Sequence, residues 1–188
     1  MTKWISSLGG PFVFGSERTM TRWIGGDGLS LPVADPAYSL FRPQIWGEEC
    51  DGTDYAWACG GEPAFLRPMP GYGPGEEIVV ICEPDDVAWF PSSDRSGRLV
   101  QWEGADSAEQ VWQHVSRLEA HRFDQPPIKL TISDASTVIF DSVMSLQQAS
   151  AANDVLRLGL AEGKYEVFSL HYEEPSIMLK VFDIRSAR

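Results

Sequence analysis

Residues 155–184 read VLRLGLAEGKYEVFSLHYEEPSIMLKVFDI, and this stretch decides the fold class. Leu156, Leu158 and Leu160 alternate with Val155, Arg157 and Gly159, the period of two that gives a strand one apolar face. Residues 165–172 and 177–184 carry similar β-branched and aromatic content, and Gly163 and Glu174-Pro175 supply the turns between the three segments. Strands joined this closely pair antiparallel, because a parallel neighbour needs a long crossover.

Working outward, residues 128–132 and 137–141 are two more strand candidates, set off by Pro126-Pro127. Further upstream, Asp106 or Ser107 caps a helix predicted over 106–120, with Ala108, Val111, Trp112, Val115 and Leu118 as the stripe that packs on a sheet. Residues 78–82 form a continuous apolar run suited to a strand buried on both faces, and 87–90 and 98–102 follow as strands around a polar turn. The N-terminus reads as two short strands, 3–6 and 11–14, about Gly9-Gly10. Ser16 then caps a short helix carrying Met20, Trp23 and Ile24, with Gly25-Gly26 beyond it. Residues 26–75 are rich in Pro and Gly, which excludes long helices and central strands, yet they hold Tyr38, Phe41, Trp46, Tyr55 and Trp57. A packed excursion with one helical turn near 53–59 fits this composition. The expected fold is therefore a single α+β domain over residues 1–188, mainly antiparallel sheet with one main helix packed on it.

Residues 3–17 (KWISSLGGPFVFGSE) and 129–143 (KLTISDASTVIFDSV) echo each other as strand, small-residue turn, strand and Ser. Two β-rich halves, about 1–104 and 126–188, joined by the helix at 106–120, account for the echo; so does convergence of any two hairpins.

The formal charge is -12, from 27 acidic and 15 basic residues. A field of this sign repels nucleic-acid backbones and anionic membranes and attracts a basic partner. Acidity for solubility alone is the plainer reading. Cys50, Cys59 and Cys82 are odd in number and lack CxxC spacing, so they predict reduced thiols rather than a disulfide framework or zinc site. Neither a signal peptide nor a membrane-spanning run is legible, and a cytoplasmic location is expected.

Catalytic constellations are absent from the sequence pattern. His114, His121 and His171 have no HExxH or comparable ligand spacing, and there is no GxSxG or GK[ST] phosphate loop. The Gly71–Gly75 string precedes a strand instead of opening a helix, so it reads as a turn. No cofactor and no metal is expected. What remains is acidic: Glu48, Glu49, Asp51 and Asp54 around Gly52, then Glu83, Asp85 and Asp86 after the apolar strand, then Glu103 near the helix entrance. Carboxylates on loops beside aromatics can receive Arg and Lys of a partner protein. Taken singly, each is as well explained as a solvated loop residue or a helix-end charge. An alternative reading is a small-ligand binder or an enzyme whose pocket is lined by the aromatics of 38–72; a structural module of a larger complex is a third.

Several motifs resemble one family. The segment WISSLGGPFVF (4–14) followed by Trp23-Ile24-Gly25, the segment DYAWAC (54–59), the strand at 78–84 with Ala88-Trp89, RLVQWEGAD (98–106), Phe140-Asp141-Ser142 and Gly163-Lys164-Tyr165 together resemble the immunity protein 21 family. Gln101 stands where that family usually has Arg. The resemblance implies a non-enzymatic protein that binds and neutralises a polymorphic toxin in the bacterium that makes both. Residues 27–50 and 144–152 carry none of it, and motif positions are expected to hold architecture while loops choose the partner.

Overall fold

The structure of the chain, a computed structural model, describes residues 2–26, 53–59, 66–69, 76–82, 85–118 and 126–187. In chain order its elements are β1 (Trp4–Ile5), β2 (Phe12–Ser16), α1 (Glu17–Met20), α2 (Asp54–Cys59), β3 (Leu66–Met69), β4 (Ile78–Ile81) and β5 (Asp86–Ser93). After these come β6 (Ser96–Ala105), α3 (Ala108–Val115), β7 (Ile128–Ile132), β8 (Thr137–Asp141), α4 (Leu146–Ala151), β9 (Leu156–Arg157), β10 (Gly163–Glu174) and β11 (Ile177–Ser186).

The strands form two sheets. One has the order β1-β5-β6-β11-β10-β7, and the other β3-β4-β2-β8-β9. Every pairing is antiparallel. The six-stranded order reads the same from either end when β1, β5 and β6 are exchanged with β7, β10 and β11. The same exchange carries β2 and β4 onto β8 and β9 in the second sheet.

Alternation along the strands builds three apolar layers. Phe12, Phe14, Val79, Ile81 and Ile139 of the five-stranded sheet meet Val87, Leu99, Val167, Phe182 and Ile184 of the six-stranded sheet, and this is the central core. The intervening residues Val13, Ile78, Val80, Val138 and Phe140 point the other way, under Met20 of α1, Ala58 of α2 and Leu146 and Ala149 of α4. On the far side of the molecule Ala88, Phe90, Val100, Leu179 and Val181 lie beneath Val111 and Val115 of α3. Strands such as β4 are thus covered on both faces, which is why they read as unbroken apolar runs instead of alternating ones.

The mainly antiparallel character agrees with the sequence. The single main helix does not: among the described residues there are several short helices, and α3 spans Ala108–Val115 instead of 106–120. Ser107 caps it by accepting from the Gln110 amide at 3.2 Å. Arg98 of β6 closes the other end, donating to the carbonyls of Val115 and, at 2.7 Å, Leu118. Within α3, Val111 and Val115 are buried but Trp112 is 48% exposed. It lies one position, about 100° of helix, off the buried seam.

Candidate partner-binding surface

The sequence motifs converge on one buried node at the exit of β8. Asp141, fully buried, accepts from Ser7 Oγ at 2.9 Å and the Leu8 amide at 2.5 Å through Oδ2, and from the Val143 amide at 2.8 Å through Oδ1. Ser7 Oγ also accepts from the Gly9 amide at 2.8 Å, closing the turn that Gly9 makes at φ 113. A β-carbon on Gly10 would come within 2.7 Å of the Tyr55 ring and 2.9 Å of Asp141 Oδ1, so only glycine lets the chain pass there. Trp23 Nε1 donates to the Ser142 carbonyl at 3.0 Å, and Gly25, at φ 66, lies against the Val143 carbonyl, where a β-carbon would sit 2.3 Å from the oxygen. Asp54 is fully buried as well and accepts from the Ile24 amide at 2.7 Å.

Two of the predicted acidic contacts are therefore committed to partners within the chain, Asp54 fully buried and Glu103 partly so. Asp54 holds the 23–26 turn and cannot reach a partner. Glu103 pairs at 2.7 Å with Lys180, whose side chain is 3% exposed, and lies 2.9 Å from His171 Nε2. The Lys180 ammonium is buried and the Glu103 carboxylate only partly so, and removing either would leave the other without its charge partner. Here the pair sits where β6 carries one extra residue opposite the Met178–Leu179 step of β11. Glu48, Glu49, Asp51 and Glu83 lie outside the described residues, as do Cys50, His121 and most of the aromatics expected to line a ligand pocket.

Asp86 is exposed and Asp85 half-buried, and the structure brings both to an aromatic neighbourhood. With Ser7, Gly9 and Trp102 they line an open cleft of about 440 Å³. Asp86 is exposed and stands opposite Trp102 in the β5–β6 register. Asp154 belongs to the same end of the molecule: burial holds its pKa above the ordinary carboxylate value, against a hydrogen bond from Ser6 and the charge of Lys3, with Asp141 and Asp86 adding repulsion. Lys3 itself donates to Asn153 Oδ1 at 3.0 Å and the Val155 carbonyl at 2.9 Å.

From Trp102 an aromatic series crosses the outer face of the six-stranded sheet. Trp4 and Trp102 meet edge-on at 5.2 Å between centroids, Trp4 meets Phe90 edge-on at 6.2 Å, and Phe90 stacks on Trp112 at 5.5 Å and 16°. Edge-on and stacked pairs at these distances suit the ring quadrupole. Sequence reasoning took Trp102 and Trp112 as packing residues; both are partly open to solvent. The signal for Trp112 was its offset from the 111–115–118 seam.

A second, larger concavity of about 600 Å³ lies between α1 and α4, lined by Glu17, Thr21, Trp23, Ser145, Leu146 and Gln148 among others. Its carboxylate, Glu17, is held by Arg157 and Ser136, which keep its pKa below the ordinary value. Cys59 and Cys82 are unbridged. Among the described residues, no three His, Cys, Asp or Glu side chains are grouped closely enough to hold a metal ion. No helix of the described residues is long and apolar enough to cross a membrane.

A family model described as immunity protein 21 covers residues 3–175 of the 188-residue chain. No curated protein and no solved structure matches it.

Proposed function

We propose that this chain, which belongs to the immunity protein 21 family, binds a polymorphic protein toxin and neutralises it in the cytoplasm of the bacterium that produces both. The family match over 3–175 carries this reading. The site geometry supports it: Asp85 and Asp86 line an open cleft beside a partly exposed tryptophan. Such a cleft suits protein side chains better than an enclosed small-molecule site.

Neutralisation by contact needs no chemistry from the immunity protein. It covers the toxin's working surface, and acidic side chains stand where an anionic substrate would otherwise lie. The charge of -12 speeds encounter with a basic partner and makes the rate sensitive to salt. Glu48, Glu49, Asp51 and Glu83 remain proposed contacts on sequence grounds, beside Asp85 and Asp86.

The test is co-expression with the toxin domain encoded beside this chain's gene. Growth rescue together with stable co-purification is the expected result. Continued toxicity with no complex would overturn the reading, as would product turnover by this chain alone as the means of rescue.

A further inference from the structure

The sequence pointed to carboxylates as the contact residues, and the structure adds an apolar component beside them. Trp102, Trp4, Phe90 and Trp112 run side by side across the β1–β5–β6 end of the outer sheet face and onto α3. Val111, Val115 and Leu118 cover the rest of that face, while at this end Trp112 of α3 lies over the buried Phe90 and Trp4 and Trp102 are only partly covered. Trp112 is 48% exposed there, and Leu8, at the tip of the turn whose Ser7 and Gly9 line the cleft, is 68% exposed.

The rim is acidic. Exposed Asp86 stands beside Trp102, Asp85 shares the cleft, and exposed Asp106 and Glu109 lie at the entrance to α3. Lys3, the cation adjacent to Trp4 in the chain, is turned away to Asn153 and Val155. An aromatic centre with polar residues at its rim is the composition of a protein-binding hot spot. The complementary group is a guanidinium or ammonium, which stacks on an indole and is received by paired carboxylates.

We infer that the aromatic end of this sheet face, Trp4, Trp102 and Trp112 with Leu8, backed by the buried Phe90, is the surface that receives the toxin, and that it takes a basic protein surface with one arginine or lysine seated in the Asp85–Asp86–Trp102 cleft. The inference rests on the proposed toxin-binding function and assigns that function a face. The Ser7–Gly9 turn is preorganised by Asp141, so Leu8 is presented without an ordering cost at binding.

The probe is the catalytically inactivated toxin domain encoded beside this chain's gene, titrated by calorimetry at low and moderate salt. Trp112→Ser is expected to weaken binding about 30-fold and Trp112→Phe only a few-fold, as for a central aromatic anchor. Asp86→Lys is expected to weaken it about 10-fold and to reduce the salt dependence. Glu162→Lys makes the same charge change at exposed Glu162, beside the opposite strand edge at β10 and β7, and is expected to leave affinity within about 2-fold. If Trp112→Ser also lowers the melting temperature, the Asp86→Lys and Glu162→Lys pair decides alone. Wild-type binding that Trp112→Ser and Asp86→Lys leave intact would overturn this face and leave the toxin-binding reading standing. Absence of wild-type binding would remove both. A wild-type dimer that Trp112→Ser dissociates would assign the face to a second copy of the chain and overturn the inference.

Discussion

Replacing Asp141 by Asn tests the node on which the turn, and through it the proposed surface, depends. The carboxylate is fully buried and accepts three hydrogen bonds, from Ser7 Oγ, the Leu8 amide and the Val143 amide. An amide of the same shape offers one oxygen and one NH₂ group, so one side of the node must face donor to donor. The cheaper orientation keeps the Ser7 and Leu8 bonds without their charge assistance and loses the Val143 bond. A hydrogen bond to a charged group contributes about 1.5–3 kcal/mol, and an unsatisfied buried donor costs a similar amount. The net expectation is a loss of about 3 kcal/mol, a large share of the 5–15 kcal/mol typical of whole domains. For a chain of this size that corresponds to a fall in Tm of about 6–12 °C. Urea unfolding followed by tryptophan fluorescence measures it, with calorimetry as the check on Tm. A variant within about 0.5 kcal/mol of wild type, the range of ordinary surface substitutions, would refute the assignment of Asp141 as the organiser of the turn.

Three further expectations follow from named contacts. Arg98→Met removes the two guanidinium bonds that close α3 and the 3.3 Å pairing with Asp183; it should cost about 2–3 kcal/mol and raise amide exchange in α3 selectively, and uniform exchange would count against this cap. Gly97→Ala puts a β-carbon 2.4 Å from the Trp89 ring and 2.8 Å from the Phe90 carbonyl; overpacking against backbone should cost about 1–3 kcal/mol in denaturant, and a neutral variant would mean that the β5–β6 hairpin yields there. Glu17 has a native pKa below its ordinary value of 4.5 because Arg157 and Ser136 donate to it. Its contribution to stability is thus complete above that ordinary value and lost as pH falls through the lower native one, so Glu17→Gln should flatten the acid limb of the stability–pH curve and leave it unchanged if the pair contributes nothing.

The parts of the fold that were legible are those where one strand supplies its own pattern. The strands at 128–132 and 137–141 agree in both bounds, and Ser16 caps α1 as its hydroxyl predicts. The second sheet was not legible, because burial on both faces removes the alternation that would have told the two sheets apart. Pro68 hid β3: proline is excluded from central strands, but β3 is an edge strand, where one side needs no amide donor. In the segment 155–160 the leucine alternation is real and points inward, yet only Leu156–Arg157 pairs as a strand, since Gly159 at φ 63 bends the chain away. The helix at Leu146–Ala151 carried a signal in plain view, the capping box of Ser145 and Gln148. At the site, acidity was readable but destination was not. Asp54 and Asp86 are equally acidic in sequence, and only the packing of the 23–26 turn separates a buried acceptor from a surface charge.

That separation has a consequence for how such a protein can change partners. The motif residues Gly10, Trp23, Gly25, Asp54, Asp141 and Ser142 meet each other or the backbone, and a change at any of them disturbs a buried hydrogen bond or a close approach. Leu8, Asp86 and Trp112 meet solvent on one side, and Leu8 occupies the one unrestricted position of its Ser-x-Gly-Gly-Pro turn. Substitutions at exposed positions usually move stability by less than about 0.5 kcal/mol, whereas the same positions at the centre of an interface move affinity by 2 kcal/mol or more. Recognition can therefore be rewritten on this face while the frame that presents it stays fixed. The division holds because the node at Asp141 fixes the shape of the turn through backbone amides, which any residue at position 8 would supply equally, proline excepted.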